Sequence, residues 1–235
     1  MNERLRALLM LVLVFACATH AAGAEPEIEL WYDVTLDGVS MGYSREWVET
    51  ADTGEITTGV YTRMLVMRNT DLIKLEVSER WTETPDGRPL EYHMTTHTSE
   101  RETKVDFVLQ GETARLRRAI GDDATLADVP VPVGLLFPAA VKRLLVERGS
   151  STGTSYSYLG FDAESEAVAT YTVTVEGKET LDLLGQSVEV TRYTLDCDAR
   201  PGLPVTEWRD ADGLLWMYEL PAAGMALTRT TKELA

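Results

Sequence analysis

Cysteine is nearly missing from this chain, with two in 235 residues. Cys17 lies in an N-terminal apolar segment and Cys197 stands alone in all that follows. Once that segment is removed no internal disulfide can form, so stability has to come from burial. Cys197 sits between Asp196 and Asp198, whose carboxylates oppose thiolate formation; this is a filler residue of a strand and not a nucleophile. Histidine is also scarce, at three. Positive charge is short: 22 Lys and Arg face 38 Asp and Glu, for a net charge of −16. Such a surface repels phosphates, which excludes nucleic acid as a partner, and it opposes docking on anionic lipid. Low-complexity linkers and charge blocks are absent, so nothing divides residues 25–235, and a single β-rich domain is expected.

Long apolar runs are missing as well. Ala7–Ala16 (ALLMLVLVFA) is ten residues long, about half of the ~20 that a spanning helix needs. It follows a short basic start, Arg4 and Arg6, and precedes Ala22-Gly23-Ala24, small residues that suit a signal peptidase. That is the layout of a secretory signal peptide over residues 1–24. The expectation is an exported, periplasmic protein that starts at Glu25 and has no transmembrane helix. Subtracting Arg4, Arg6 and Glu3 leaves it 20 basic and 37 acidic residues. Val14-Phe15-Ala16-Cys17 also resembles a bacterial lipoprotein processing site, which would leave the protein anchored through an acylated Cys17.

What the chain does have is alternation with period two, bounded by Gly, Asp and Pro. Leu30, Tyr32, Val34 and Leu36 share one face of a strand, and Asp37-Gly38 supplies a tight turn. Val39, Met41, Tyr43 and Trp47 share a face of the next. Ile73, Leu75, Val77 and Trp81 alternate with Lys74, Glu76 and Arg80, and Leu90, Tyr92 and Met94 with Glu91, His93 and Thr95. Val105, Phe107 and Leu109 follow the same rule, and 169–175 and 187–195 have high strand propensity. One segment departs from it. Pro138–Arg148 lacks alternation, opens on a proline suited to a first helical turn and is followed by Gly149, so a helix is expected over 138–149. The Pro-rich stretch 128–134 before it should be extended. The expected fold is mainly β: a curved antiparallel sheet or half-barrel of about ten to thirteen strands with one central α-helix, organised as two halves around it. Trp81-x4-Asp86-Gly87-x2-Leu90-x-Tyr92 is echoed by Trp208-x3-Asp212-Gly213-x2-Trp216-x-Tyr218, a hairpin pattern on either side of the helix.

Hairpins, a helix, then more hairpins resemble exported bacterial domains built as a curved antiparallel sheet: the lipoprotein-carrier-like half-barrels and the domain that precedes some transglutaminase-like proteins. Leu36-Asp37-Gly38-Val39-Ser40-Met41-Gly42-Tyr43, Val175-Glu176-Gly177-Lys178-Glu179 with Gly185-x2-Val188, and the Trp208–Tyr218 hairpin carry the second likeness. No functional residue transfers with these turn and strand features. The transglutaminase-type order Cys, His, Asp is absent, since His93 and His97 precede Cys197.

Candidate chemistry is sparse. Gly38-Val39-Ser40-Met41-Gly42 matches the Gly-x-Ser-x-Gly elbow of serine hydrolases, but strand alternation follows it where a helix is required. On a strand, His93 and His97 stand about 13 Å apart, too far to share an ion. Asp210-x-Asp212-Gly213-x5-Glu219 echoes part of a calcium loop, yet Trp208 occupies the first ligand position, so a hairpin is the better reading. No catalytic residue, metal or cofactor is expected. The aromatics remain. Tyr43, Trp47, Tyr61, Trp81, Tyr92, Trp216 and Tyr218 are the candidate ligand-binding residues, because Leu214–Leu220 is apolar on both faces and something has to cover the second face. The expected function is a non-catalytic exported domain that binds an apolar ligand, a lipid or acyl group, in a pocket lined by aromatic and Met side chains, or that packs on an envelope protein. The alternatives are a serine hydrolase using Ser40 and a structural interaction domain with a solid core.

Overall fold

The computed structural model describes residues 26–68, 71–99 and 101–235. Residues 1–24, expected to be a signal peptide, and Cys17 among them lie outside the described residues. Before the helix the described residues form a meander: β1 (Ile28–Leu36), β2 (Val39–Thr50), β3 (Ile56–Arg68), β4 (Asp71–Glu83), β5 (Pro89–Thr98), β6 (Arg101–Gln110), β7 (Thr113–Ile120) and β8 (Asp123–Pro130). Helix α1 (Pro138–Arg148) follows. The second half is β9 (Ser155–Asp162), β10 (Ala167–Leu183), β11 (Gln186–Cys197), β12 (Val205–Arg209), β13 (Leu215–Leu220) and β14 (Met225–Thr230).

The fourteen strands of the described residues belong to one antiparallel sheet, ordered β8-β7-β6-β5-β4-β3-β2-β1-β14-β13-β12-β11-β10-β9. The first strand pairs with the last, Tyr32 opposite Arg229 and Val34 opposite Leu227. The two edges, β8 and β9, are therefore consecutive in sequence, and α1 lies in the connection between them. The count exceeds the ten to thirteen expected. The reason is visible in β8, where seven of eight residues are exposed, so no alternation betrays it.

The sheet curls until its ends meet. Phe107 of β6 stacks on Phe161 of β9, with centroids 4.2 Å apart, and Tyr92 of β5 approaches the same ring at 5.3 Å. Arg118 of β7 pairs with Glu166 in the β9–β10 turn at 2.9 Å. Beyond β8 the chain touches β9 directly, where the Leu136 amide donates to the Leu159 carbonyl at 2.8 Å. Inside this barrel-like wall lies the main core, which includes Tyr32, Val34, Val60, Met64, Val77, Tyr92, Phe107, Phe137, Leu215 and Tyr218. Leu145 of α1 packs on Val173, Val175 and Tyr193 at one end. A third cluster, Val190, Trp208 and Trp216, lies apart from the core beneath the distal β10–β11 hairpin.

Local sequence explains the joints. Asp37 (φ 48°) and Gly38 (φ 77°) both take positive φ, the mark of the tight turn whose twist suits a hairpin. The β1–β2 ladder shifts register between Val34 and Thr35, and Gly42 carries the matching distortion at φ 155°.

Candidate functional site

Helix α1 begins without a side-chain cap of its own. Its cap comes from the sheet. The Ala139 amide donates to Glu83 Oε2 at 3.1 Å, and Arg143 Nη2 donates to Glu83 Oε1 at 3.1 Å. Glu83 is 1% exposed. Burial pushes its carboxyl up, against the pull of Arg143 and the helix N–H groups. Two turns then clasp the helix. A Cβ on Gly87 would stand 2.5 Å from Arg143 Nη2 and 3.1 Å from the Ala140 Cβ. A Cβ on Gly213 would stand 3.1 Å from atoms of both Lys142 and Val146. These are the glycines of the two echoed Asp-Gly motifs, so the sequence echo marks a pair of turns that grip one helix.

Beneath α1 the barrel interior holds a cavity of about 360 Å³. Inward residues of β2, β3 and β4 form one wall: Val48 and Glu46, Thr58 and Val60, Trp81 and Glu79. Tyr158, Gly160 and Asp162 of β9, Tyr171 of β10, and Glu207 and Arg209 of β12 form the other. Phe137, Val141, Lys142 and Leu145 roof it. The exposed residues Glu27 and Thr50 mark the rim, while Glu79, Tyr92 and Asp162 are buried at the far side.

The lining is amphiphilic. Arg209 Nε donates to Glu207 Oε2 at 2.7 Å and its Nη1 to the Gly213 carbonyl at 2.9 Å. Arg200 pairs with Asp162 at 3.1 Å. The Tyr171 hydroxyl reaches Asp162 at 3.4 Å, and its ring stacks on Tyr158 with centroids 5.2 Å apart. Tyr92 donates to Glu79 at 2.6 Å. Tyr32 lies 3.2 Å from both Glu46 Oε2 and the Leu215 carbonyl, with one proton to share between them. Burial raises the Glu46 carboxyl above its ordinary range, and burial together with Glu46 raises the Tyr32 phenol further.

Of the seven aromatics singled out in the sequence, two line this cavity: Trp81 and Tyr92, ring centroids 5.3 Å apart. Tyr218 is fully buried in the main core and is not a lining residue. Tyr43 and Tyr61 alternate away from the inward row, in a ring series Trp31–Tyr43–Tyr61 with 5.6 Å between neighbours. Trp47 is buried outside the cavity, its indole over Gly59 and the Arg45 guanidinium 4.7 Å from its centroid. Trp216 packs with Trp208 under the Arg229 guanidinium at 4.3 Å, and its Nε1 donates to Asp210 at 2.8 Å. Both faces of 214–220 are thus covered by the protein itself. The cavity is lined by aromatics, Trp81, Tyr92, Phe137, Tyr158, Phe161 and Tyr171, as expected of the pocket, but no methionine lines it among the described residues.

Sequence reading missed Glu46, Glu207, Arg209, Asp162, Arg200 and Phe161. A signal was present. Ser44-x-Glu46-x-Val48 and Val77-x-Glu79-x-Trp81 place acidic residues in the buried register of strands, where a structural residue would be apolar.

The remaining candidates take ordinary positions. Ser40 lies exposed in β2, its Oγ 2.6 Å from Asp33 Oδ1, and the strand continues where the elbow motif demands a helix. His93 Nδ1 sits 2.8 Å from Asp106, which also pairs with Arg117 at 3.1 Å; His97 faces Glu102 at 3.3 Å. No group of three or more His, Cys, Asp or Glu suited to a metal ion occurs among the described residues. Asp210 closes the β12–β13 turn by accepting from the Asp212 and Leu214 amides, which is the hairpin reading. No described helix is long and apolar enough to cross a membrane.

No protein-family model matches the chain. No curated protein matches it either. Among solved structures it is similar to a β-barrel-like protein of domain of unknown function DUF1849 from Brucella abortus, with a TM-score of 0.63. That match covers 86% of this chain and 94% of the other at 15% identity. The likeness shows the fold: a barrel-like, β-rich domain.

Proposed function

We propose that this protein is an exported, non-catalytic binding module that takes a small amphiphilic molecule into the barrel beneath α1. The cavity carries the reading: about 360 Å³, within the range of small-molecule sites. A pure acyl chain fits the lining poorly, because it would leave Glu46 and Arg209 facing hydrocarbon. A ligand with an apolar body against Trp81, Phe137 and Phe161, and a polar group toward the buried charges, satisfies both kinds of wall. The resemblance to lipoprotein-carrier-like half-barrels supports the same class of function, and the basic, apolar and small-residue layout of residues 1–24 supports a periplasmic location.

Native mass spectrometry of the protein purified without detergent tests this. The expected spectrum carries a non-covalent adduct, lost in a Val48→Trp variant that fills the cavity. A bare polypeptide mass for the natural chain returns the fold to a solid structural domain. The serine-hydrolase alternative is tested separately. Ser40→Ala should leave ester turnover at the buffer background and the adduct unchanged; ester turnover by the natural chain that this variant abolishes would reinstate it.

A further inference from the structure

The charges that line the cavity are not equally available. Arg209 is committed to Glu207 and the Gly213 carbonyl, Arg200 to Asp162, and Arg143 to Glu83. Glu79 holds the Tyr92 hydroxyl at 2.6 Å. Among the described residues, Glu27, Glu46 and Lys142 line the cavity without such an ion pair; Glu27 is exposed at the rim, which leaves Glu46 and Lys142 further in. Glu46 accepts a proton that Tyr32 shares with the Leu215 carbonyl, at 3.2 Å, and its foremost counter-charge is Arg209, whose guanidinium is already held by Glu207. Lys142, on α1, forms no ion pair within 4.0 Å among the described residues. Lys142 acts on Glu46 through space, after Arg209 and Glu207. One carboxylate in the sheet wall and one basic side chain in the helical roof thus line the same cavity.

The geometry points to a zwitterionic ligand, its cationic group on Glu46 and its anionic group on Lys142. This rests on the reading of the cavity as a ligand site. A purely anionic ligand would meet guanidinium groups already neutralised and the carboxylate of Glu46 at close range. A purely cationic one would meet Glu46 but also Lys142 above it. A ligand with both charges completes both groups, and each charge-assisted contact is strengthened by the low dielectric of the interior. The alkyl groups of an alkylated ammonium would join the apolar body against Trp81 in the same lining.

Four probes that share one octyl tail separate the possibilities, titrated below micellar concentration by calorimetry: a sulfobetaine, a trimethylammonium, a sulfonate and a neutral glucoside. The sulfobetaine should bind saturably and about tenfold tighter than the other three, the value of one well-placed charged contact. Glu46→Gln should cost the sulfobetaine and the trimethylammonium about tenfold and tighten the sulfonate, from which it removes a like charge, while Lys142→Gln should cost the sulfobetaine and the sulfonate and tighten the trimethylammonium. Both replacements keep side-chain size, and near-ultraviolet circular dichroism reports whether the fold is kept. Equal affinity for all four probes, or variants that leave the preference untouched, overturns the zwitterion assignment while the binding reading stands. Absence of saturable binding by every probe overturns the assignment too, and the native mass spectrum then decides the binding reading on its own.

Discussion

Gly42 shows how little room the sheet leaves at a joint. Its φ of 155° lies outside the range L side chains adopt easily, and a Cβ there would stand 1.9 Å from the Arg63 carbonyl oxygen. Backbone cannot step aside as a flexible side chain would, so Gly42→Ala should cost about 2 kcal/mol or more, read as a lower urea midpoint. An unchanged midpoint would show that the bulge relaxes freely. Glu164, in the β9–β10 turn, makes a different demand. Burial raises its carboxyl, Arg200 pulls it down and Asp162 raises it again, leaving it at about 7. Its folded value therefore lies above its unfolded one. The contribution to stability is fully present below the unfolded value, near the ordinary carboxyl range, and is lost as pH rises through about 7. Glu164→Gln should then gain on the natural chain between about pH 4.5 and about pH 8, read from paired urea midpoints. A constant difference across that range would refute the assignment.

Elements were legible in proportion to how one-sided their environment is. Strands with one dry face, such as β1 and β4, announce themselves by alternation, with Leu30, Tyr32 and Val34 in one and Leu75, Val77 and Trp81 in the other buried as expected. The helix announces itself by the loss of that pattern, and Pro138–Arg148 falls on the expected segment. β8 is wet on both faces and left no trace. The cavity was hidden for a related reason: alternation reports which residues point inward, and not whether the interior is filled. Aromatic content alone does not mark the cavity, because Trp47 and Trp216 are buried by neighbours on the sheet rather than inside the barrel. What seats the helix is a carboxylate 55 residues before Pro138, a link no local pattern carries. Removing it with Glu83→Ala leaves the Ala139 amide and Arg143 without their acceptor, at a cost of about 2 kcal/mol. Urea unfolding measures that cost, and Leu145→Ala on the other face of α1 should lose about 2–5 kcal/mol by opening a hole against Val173 and Tyr193. If the Glu83 variant melts as the natural chain does, the helix is seated by its apolar face alone.

The whole molecule is a ribbon closed by its own ends. Because β1 pairs with β14, the first and last strands lie in the middle of the sheet, and the open edges belong to the middle of the sequence. Stability should follow position in the sheet and not distance from a terminus. β1 and β14 each have two hydrogen-bonded neighbours and bury Leu30, Tyr32, Val34, Met225 and Leu227. β8 has one neighbour, exposes most of its length and adds little to the core. Opening β8 costs one ladder and almost no apolar burial, whereas opening β1 breaks two ladders and the main core with them. Amide hydrogen exchange reads this difference directly. The amides of β8 that bond to β7 should exchange through local opening, well before global unfolding. Those of β1 and β14 should exchange only with it, although they border the ends of the chain. Protection of β8 equal to that of β1 would mean that the seam beside α1 is held as firmly as the rest of the wall.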